Sequence, residues 1–207
     1  MTPPQWLQWA KQLQAITQNG LTFNQDPYDV ERYEAVRQVA SEMMAAGSNA
    51  RVSQILDLFS NEAGYATPKV DVRGAVFRNN EILLVKERID GGWTLPGGWA
   101  DVCDSPGEAV AREIFEESGF ETEVTKLVAV YDRSKHPHQP PFPHHVYKMF
   151  FLCQIVNGKA TNSHETEDVA FFKEDAIPPL SISRVLPAQI ARMFEYYRNP
   201  ALPTDFD

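Results

Sequence analysis

The stretch GWADVCDSPGEAVAREIFEESGF, residues 98–120, ends in three glutamates, Glu113, Glu116 and Glu117, set in the last turns before a glycine, Gly119. Its start is punctuated as a helix: Ser105 as N-cap, Pro106 at the first helical position and Glu108 at the third form a capping box. Gly119 suits the left-handed C-terminal cap, so the spacing predicts a helix over 106–118. At about 100° per residue the three glutamates span roughly a third of the circumference, with Ala111, Ile114 and Phe115 expected to cover the opposite, packed side. A helix carries about half a negative charge at its C-terminal end, so acids gathered there are repelled by the backbone and by one another. Two readings resolve this. One is a solvated acidic face; the other is a seat for a hard divalent cation, which takes oxygen ligands and bridges carboxylates to phosphates.

Ahead of the helix stands Trp93-Thr94-Leu95-Pro96-Gly97-Gly98, joined to it by a short loop. Further upstream the texture changes near residue 64. Before it, Trp6 to Ile16, Tyr28 to Met44 and Val52 to Phe59 show helical periodicity, broken at Asn19-Gly20, Asp26-Pro27 and Gly47-Ser48-Asn49. After it, Val70 to Phe77, a turn at Asn79-Asn80 and Ile82 to Val85 read as a β-hairpin. Strands follow at Thr122 to Tyr131, His145 to Val156 and Val169 to Phe172, and a last helix runs from Pro187 to Tyr197.

Composition bounds the function. A chain of 207 residues, 43% hydrophobic and 23% charged, is long enough for one or two packed domains. Its 28 acids against 19 lysines and arginines leave a net charge of -9, which disfavours stable nucleic-acid binding but not a small phosphorylated ligand held locally with a metal. The N-terminus shows no secretory pattern and no run of about 18 apolar residues occurs, so a cytoplasmic protein without a membrane span is expected. Cys103 and Cys153 are read as two reduced small hydrophobes.

Read from Gly98, the 23 residues follow a fixed spacing: glycine, five residues, an acid, seven residues, Arg112-Glu113, two residues, Glu116-Glu117, one residue, Gly119 and an apolar residue. This resembles the signature of the Nudix hydrolases, with one departure, Asp104 where the family usually has glutamate. The resemblance implies an α/β/α sandwich with a mixed β-sheet. It also implies magnesium or manganese bound by Glu113, Glu116, Glu117 and the Gly97 carbonyl, with Arg112 orienting the carboxylates. The implied reaction is hydrolysis of a nucleoside diphosphate linked to another moiety, with Glu113, Glu117 and Arg112 in catalysis.

The base is expected from the acidic loop Ser163 to Asp168, with Glu165 the candidate and Glu167 its alternative. Between two expected strands, Asp132 to His145 concentrates prolines, cations and four of the five histidines. Three readings stand for it: a plain surface loop, a transition-metal site, or a substrate-facing loop with Arg133, Lys135 and His136 as contacts. Arg73 is either a further substrate contact or the partner of a neighbouring acid. The helical segment 1–63 ahead of a hydrolase domain 64–207, with DVRGAVF (71–77), YDRSKHPH (131–138) and HVYKMFFLC (145–153), is similar to the bacterial subgroup acting on CDP-choline or ADP-ribose. That similarity implies a homodimer built by the N-terminal helices, for which Trp6, Trp9 and Tyr28 offer aromatic area. Three other readings are a nucleotide sensor on the same fold, against which the retained glutamates count, a hydrolase of other nucleotides or RNA ends, and a nucleic-acid-binding N-terminal segment, against which its acids count.

Overall fold

The computed structural model describes residues 4–207, which divide into two compact units: residues up to 68 together with 141–145, and residues 69–140 with 146–207. The first holds three helices, α1 (Gln5–Phe23), α2 (Pro27–Ala46) and α3 (Val52–Ser60). Asp26 caps α2 by accepting hydrogen bonds from Tyr28 N and Asp29 N, and Pro27 sits where a missing N–H costs nothing. Leu7, Ala10, Met44, Ile55 and Phe59 form its core. The break expected at Asn19-Gly20 does not occur, and α1 runs on to Phe23. Gly20 lies instead under the Tyr33 ring, where a Cβ would come within 2.4 Å of it, so this glycine permits close helix packing rather than ending a helix. No helix among the described residues is long and apolar enough to cross a membrane.

The second unit is a mixed sheet between two helices. β1 (Lys69–Arg78) and β2 (Glu81–Glu87) form the expected hairpin, turned at Asn79 and Asn80 with φ of 54° and 63°, as a two-residue primed turn requires. The strand order is β3-β2-β1-β5-β4-β7, with β3 at Trp93–Thr94, β4 at Phe120–Asp132, β5 at Val146–Gly158 and β7 at Asp205–Phe206. β6 (Thr166–Phe172) pairs with β2. β5 runs parallel to β1 and antiparallel to β4. Helix α4 (Pro106–Ser118) packs Val110 and Ile114 with Val72, Val76 and Phe151, and helix α5 (Pro187–Arg198) packs Ile190, Met193 and Phe194 with Ala75, Leu84 and Phe150. This is the expected α/β/α sandwich, and the run Val72 to Val76 is buried on both faces because β1 lies at its centre.

β6 starts earlier than its apolar run suggests, at Thr166, because Thr166 pairs with Glu87 past a bulge in β6 at Glu167. The two cysteines also differ: Cys153 is buried, its thiol pushed up to about 12 by desolvation, whereas Cys103 is exposed in the loop before α4 at φ 79°. Only Cys153 fits the reading as a small hydrophobe.

Gly74 lets α4 approach the sheet, since a Cβ there would lie 2.4 Å from Ile114 Cδ1. Gly74→Ala is expected to destabilise the fold by about 1–3 kcal/mol through overpacking, and adding Ile114→Val, which deletes that methyl, should recover part of it. Urea midpoints of the single and double variants check this.

Candidate active site

Helix α4 brings the site together. Ser105 Oγ accepts from Glu108 N and Glu108 Oε2 from Ser105 N at 2.9 Å, while Gly119, at φ 76°, donates to the Phe115 carbonyl. Its buried face, however, is Ala109, Val110, Ile114, Glu117 and Ser118, and Phe115 is 50% exposed. The expected packed side is thus rotated, because residues four and three apart at 110, 114 and 117 share the stripe that faces β1. Glu117 is turned inward, 6% exposed, away from the solvated acids.

Glu117 Oε2 accepts a hydrogen bond from Gly97 N at 2.8 Å, and its backbone carbonyl accepts one from Thr166 Oγ1 at 3.0 Å. Desolvation pushes its carboxyl up to about 8, the Arg73 charge and the Gly97 N–H pull the other way, and Glu87 and Glu113 add repulsion. Glycine is obligatory at 97: with φ 140°, a Cβ would stand 2.0 Å from the Val72 carbonyl oxygen. The segment is laced to β1 through Val72 N to Gly98 O, Gly74 N to Pro96 O and Ala100 N to Val70 O, which leaves the Gly97 carbonyl outside that ladder.

Arg112 organises the remaining acids. Its Nε donates to Asp104 at 3.0 Å, its Nη1 to Glu113 at 2.9 Å and Glu116 at 3.1 Å, and its Nη2 pairs with Asp101 at 3.2 Å. Asp104, one methylene shorter than the usual glutamate, still reaches Arg112. Glu113 is half-buried against Gly98, where a Cβ would lie 2.6 Å from Oε2. Drawn towards Arg112, these carboxylates do not converge with Glu117, and among the described residues no three His, Cys, Asp or Glu side chains form a ready-made metal cage.

Arg73 is not open to substrate. It is 4% exposed, clamps Asp71 with both Nε and Nη2 at 2.9 and 2.7 Å, and donates Nη1 to the Leu95 carbonyl at 3.2 Å. Asp71 also accepts from Lys148 Nζ at 2.6 Å, and the two cations hold its carboxyl well below the usual range. Burial pulls Lys148 down to about 8 against the pull of Asp71. The reading of Arg73 as the partner of a neighbouring acid is the one the structure has, and its substrate-contact reading is corrected: a guanidinium with this burial has no face for a ligand.

Glu165 is exposed and its carboxylate makes no ion pair among the described residues, whereas Glu167 is held by Lys86 at 3.0 Å. Glu165 is positioned through its backbone, accepting from Arg88 N at 3.1 Å. Arg133 donates to the carbonyls of Pro140 and Ser183, Lys135 is exposed, and His136 pairs with Asp207 at 3.1 Å. None of these three touches the glutamates. The histidines do not converge either: His138 bridges the Ile182 carbonyl and Gln189, while His144 and His145 belong to the first unit.

Sequence reading missed two groups. Buried Glu87 is ion-paired with Arg184 at 2.8 Å and lies within electrostatic reach of Arg73 and Glu165; desolvation raises its carboxyl while the two arginines oppose that. Lys148 and His138 are buried among charges. A lysine inside the apolar run of β5 was the one available signal.

Residues 67–193 match the NUDIX domain, and residues 4–59 match the UDP-X-like, N-terminal oligomerisation domain. The chain belongs to the Nudix family of hydrolases, pyrophosphatases acting on nucleoside diphosphate-linked moieties. A Bacillus subtilis (strain 168) protein, YjhB, provisionally named an ADP-ribose pyrophosphatase, is 48% identical over 98% of this chain and 97% of its own. A crystal structure of a UDP-X diphosphatase is 33% identical over the whole of both chains, with a TM-score of 0.64. An ADP-ribose pyrophosphatase from Streptococcus suis 89-1591 is 39% identical over 68% of this chain and all of its own, with a TM-score of 0.61.

His138 generates a pH test. Nδ1–H donates to the Ile182 carbonyl, so Nε2 accepts from the Gln189 amide, and desolvation with Lys148 and Arg133 nearby pulls the ring down to about 3. The fold thus holds a neutral imidazole that the unfolded chain protonates near pH 6.5. The unfolded state binds more protons as pH falls from about 6.5 towards 3, so stability is lost in that window. His138→Gln is expected to flatten the slope by up to about one proton, measured by urea unfolding from pH 7 to 4.

Proposed function

We propose that the chain hydrolyses the pyrophosphate bond of ADP-ribose to AMP and ribose 5-phosphate, using magnesium or manganese held by Glu113, Glu116, Glu117 and the Gly97 carbonyl. The observation that carries this reading is Glu117, a carboxylate buried at the negative end of α4 and hydrogen-bonded to the Gly97 N–H but, among the described residues, to no cationic side chain. The donor set fits such an ion: every side-chain donor is a hard carboxylate oxygen, and Gly98, lacking a Cβ, admits the Glu113 carboxylate against the loop. When bound, the ion screens the pyrophosphate, polarises phosphorus and acidifies a water.

The rest falls to the chain's own residues. Arg112 orients Glu113 and Glu116 by its fork, Gly97 and Thr166 fix Glu117 at its carboxylate and its carbonyl, and Arg73 offsets the Glu117 charge from beneath. Glu165, free of ion pairing, takes the proton of the attacking water. Lys135 and His136 are kept as contacts to the distal moiety, with Arg133 bracing their loop. The ADP-ribose reading draws on the full-length similarity to YjhB. CDP-choline, cleaved to CMP and phosphocholine, and UDP-linked compounds are the next substrates, the last on similarity to the UDP-X diphosphatase. The activity is assigned to residues 64–207, and residues 1–63 are assigned to a homodimer.

Chromatographic turnover of ADP-ribose, CDP-choline and UDP-glucose with magnesium or manganese tests the reaction. ADP-ribose is expected to be cleaved at kcat/KM of about 10⁴ M⁻¹s⁻¹ or more, with loss of nearly all activity in Glu117→Gln or on chelation. Glu165→Gln should lower kcat at least about tenfold with KM little changed. No turnover of any of the three overturns the reading.

The dimer reading is supported by the first unit's exposed Trp9, Ile16 and Tyr28, and by a shallow apolar groove of about 340 Å³ lined by Trp9, Leu13, Ile16 and Met43. Light scattering should give twice the chain mass, falling to the monomer in Trp9→Glu/Ile16→Glu with the helix content retained.

A further inference from the structure

Arg184 lies just before α5, far in sequence from the signature, with about a quarter of its side chain exposed. Its Nε pairs with Glu87 at 2.8 Å, and its Nη1 donates to Ser181 Oγ at 3.2 Å and Ser183 Oγ at 3.4 Å and stands 3.5 Å from the Asp90 carboxylate. Asp90 accepts from Ser181 Oγ at 2.7 Å, so the acid and the serines brace one another. The backbone beneath is equally fixed: Ser181 N donates to the Trp93 carbonyl, and Gly92 packs so closely that a Cβ would lie 2.6 Å from Ser181 N. Two of the three guanidinium nitrogens are therefore spoken for. Nη2 has no partner among the described residues and is not enclosed.

This cation stands next to the carboxylate site. Glu87 lies just past the shift in β2–β6 register, opposite Thr166, whose hydroxyl holds the Glu117 carbonyl. A buried carboxylate beside Glu117 adds repulsion to a site already rich in acids. Its compensating use is to hold an arginine. A guanidinium restrained at two nitrogens gives up little freedom when its remaining donors meet a phosphate, which a flexible lysine would have to surrender.

We propose that Arg184, held in place by Glu87, Asp90 and the two serines, contacts the substrate's pyrophosphate, presenting Nη2 to a phosphate oxygen. The proposal rests on the pyrophosphatase reading above. Glu87 acts as its positioning residue.

The test measures steady-state hydrolysis of ADP-ribose and calorimetric binding of magnesium pyrophosphate, which needs no turnover. Arg184→Gln strands a buried carboxylate, so Glu87→Gln/Arg184→Gln, which removes both charges, and Arg184→Lys accompany it. Both Gln variants are expected to raise KM at least about tenfold, with kcat within about threefold, and to weaken pyrophosphate binding similarly. Arg184→Lys should recover part of both, and melting temperatures show whether the fold is intact. Unchanged KM and pyrophosphate affinity in a folded double variant would overturn the role of Arg184 while leaving the pyrophosphatase reading standing. Failure of the wild type both to bind pyrophosphate and to cleave ADP-ribose removes both.

Discussion

A carboxylate buried where a helix ends is the constraint from which the second unit is organised. Glu117 is opposed by desolvation, by the α4 dipole and by the neighbouring Glu87 and Glu113. What holds it is a set of small contributions from different elements: the Gly97 N–H, the Thr166 hydroxyl and the field of Arg73. Each needs its own support. Gly97 can approach only because it lacks a Cβ, Thr166 because a bulge in β6 sets its partner, and Arg73 because Asp71 balances it, with Lys148 completing the triad.

The outer acids are handled in the opposite way. Glu113, Glu116, Asp101 and Asp104 share one guanidinium at the surface of α4, where solvent screens what Arg112 does not. The helix therefore separates its acids into one that is desolvated and several that are pre-oriented by a shared cation. The single departure from the signature's usual residues, Asp104, lies in the second group, where a shorter arm is absorbed by the reach of the arginine.

Much of this was legible because it depends on local spacing. The capping box, the Gly119 cap and the Asn79-Asn80 turn between two strands are set by neighbouring residues, and the structure has them as read. The errors came where packing overrides a local sign. Gly20 reads as a breaker but is a helix contact, and Phe115 reads as core although the stripe facing β1 runs through Glu117 instead. Arg73 read equally well as substrate contact or ion-pair partner, since only burial separates the two. Glu87, Arg184 and His138 were missed because the Glu87–Arg184 pair and the His138 contacts to Ile182 and Gln189 span distant positions, as Ser181 and Asp90 do at 91 positions apart, and no window of sequence contains both.

The Asp71–Arg73–Lys148 triad has a consequence for the order in which this unit is made. Asp71 and Lys148 are 77 positions apart and meet only when β5 docks alongside β1, the strand pairing that joins the two halves of the sheet. Until then the hairpin carries an acid and an arginine in the middle of an apolar surface, and parallel pairing across such a span is slow because a long loop must close first. On the ribosome, everything up to the last signature glutamate emerges before the strand that completes its foundation. The signature residues are thus synthesised early, and a chain interrupted before residue 146 has every one of them but lacks the strand that pairs with β1.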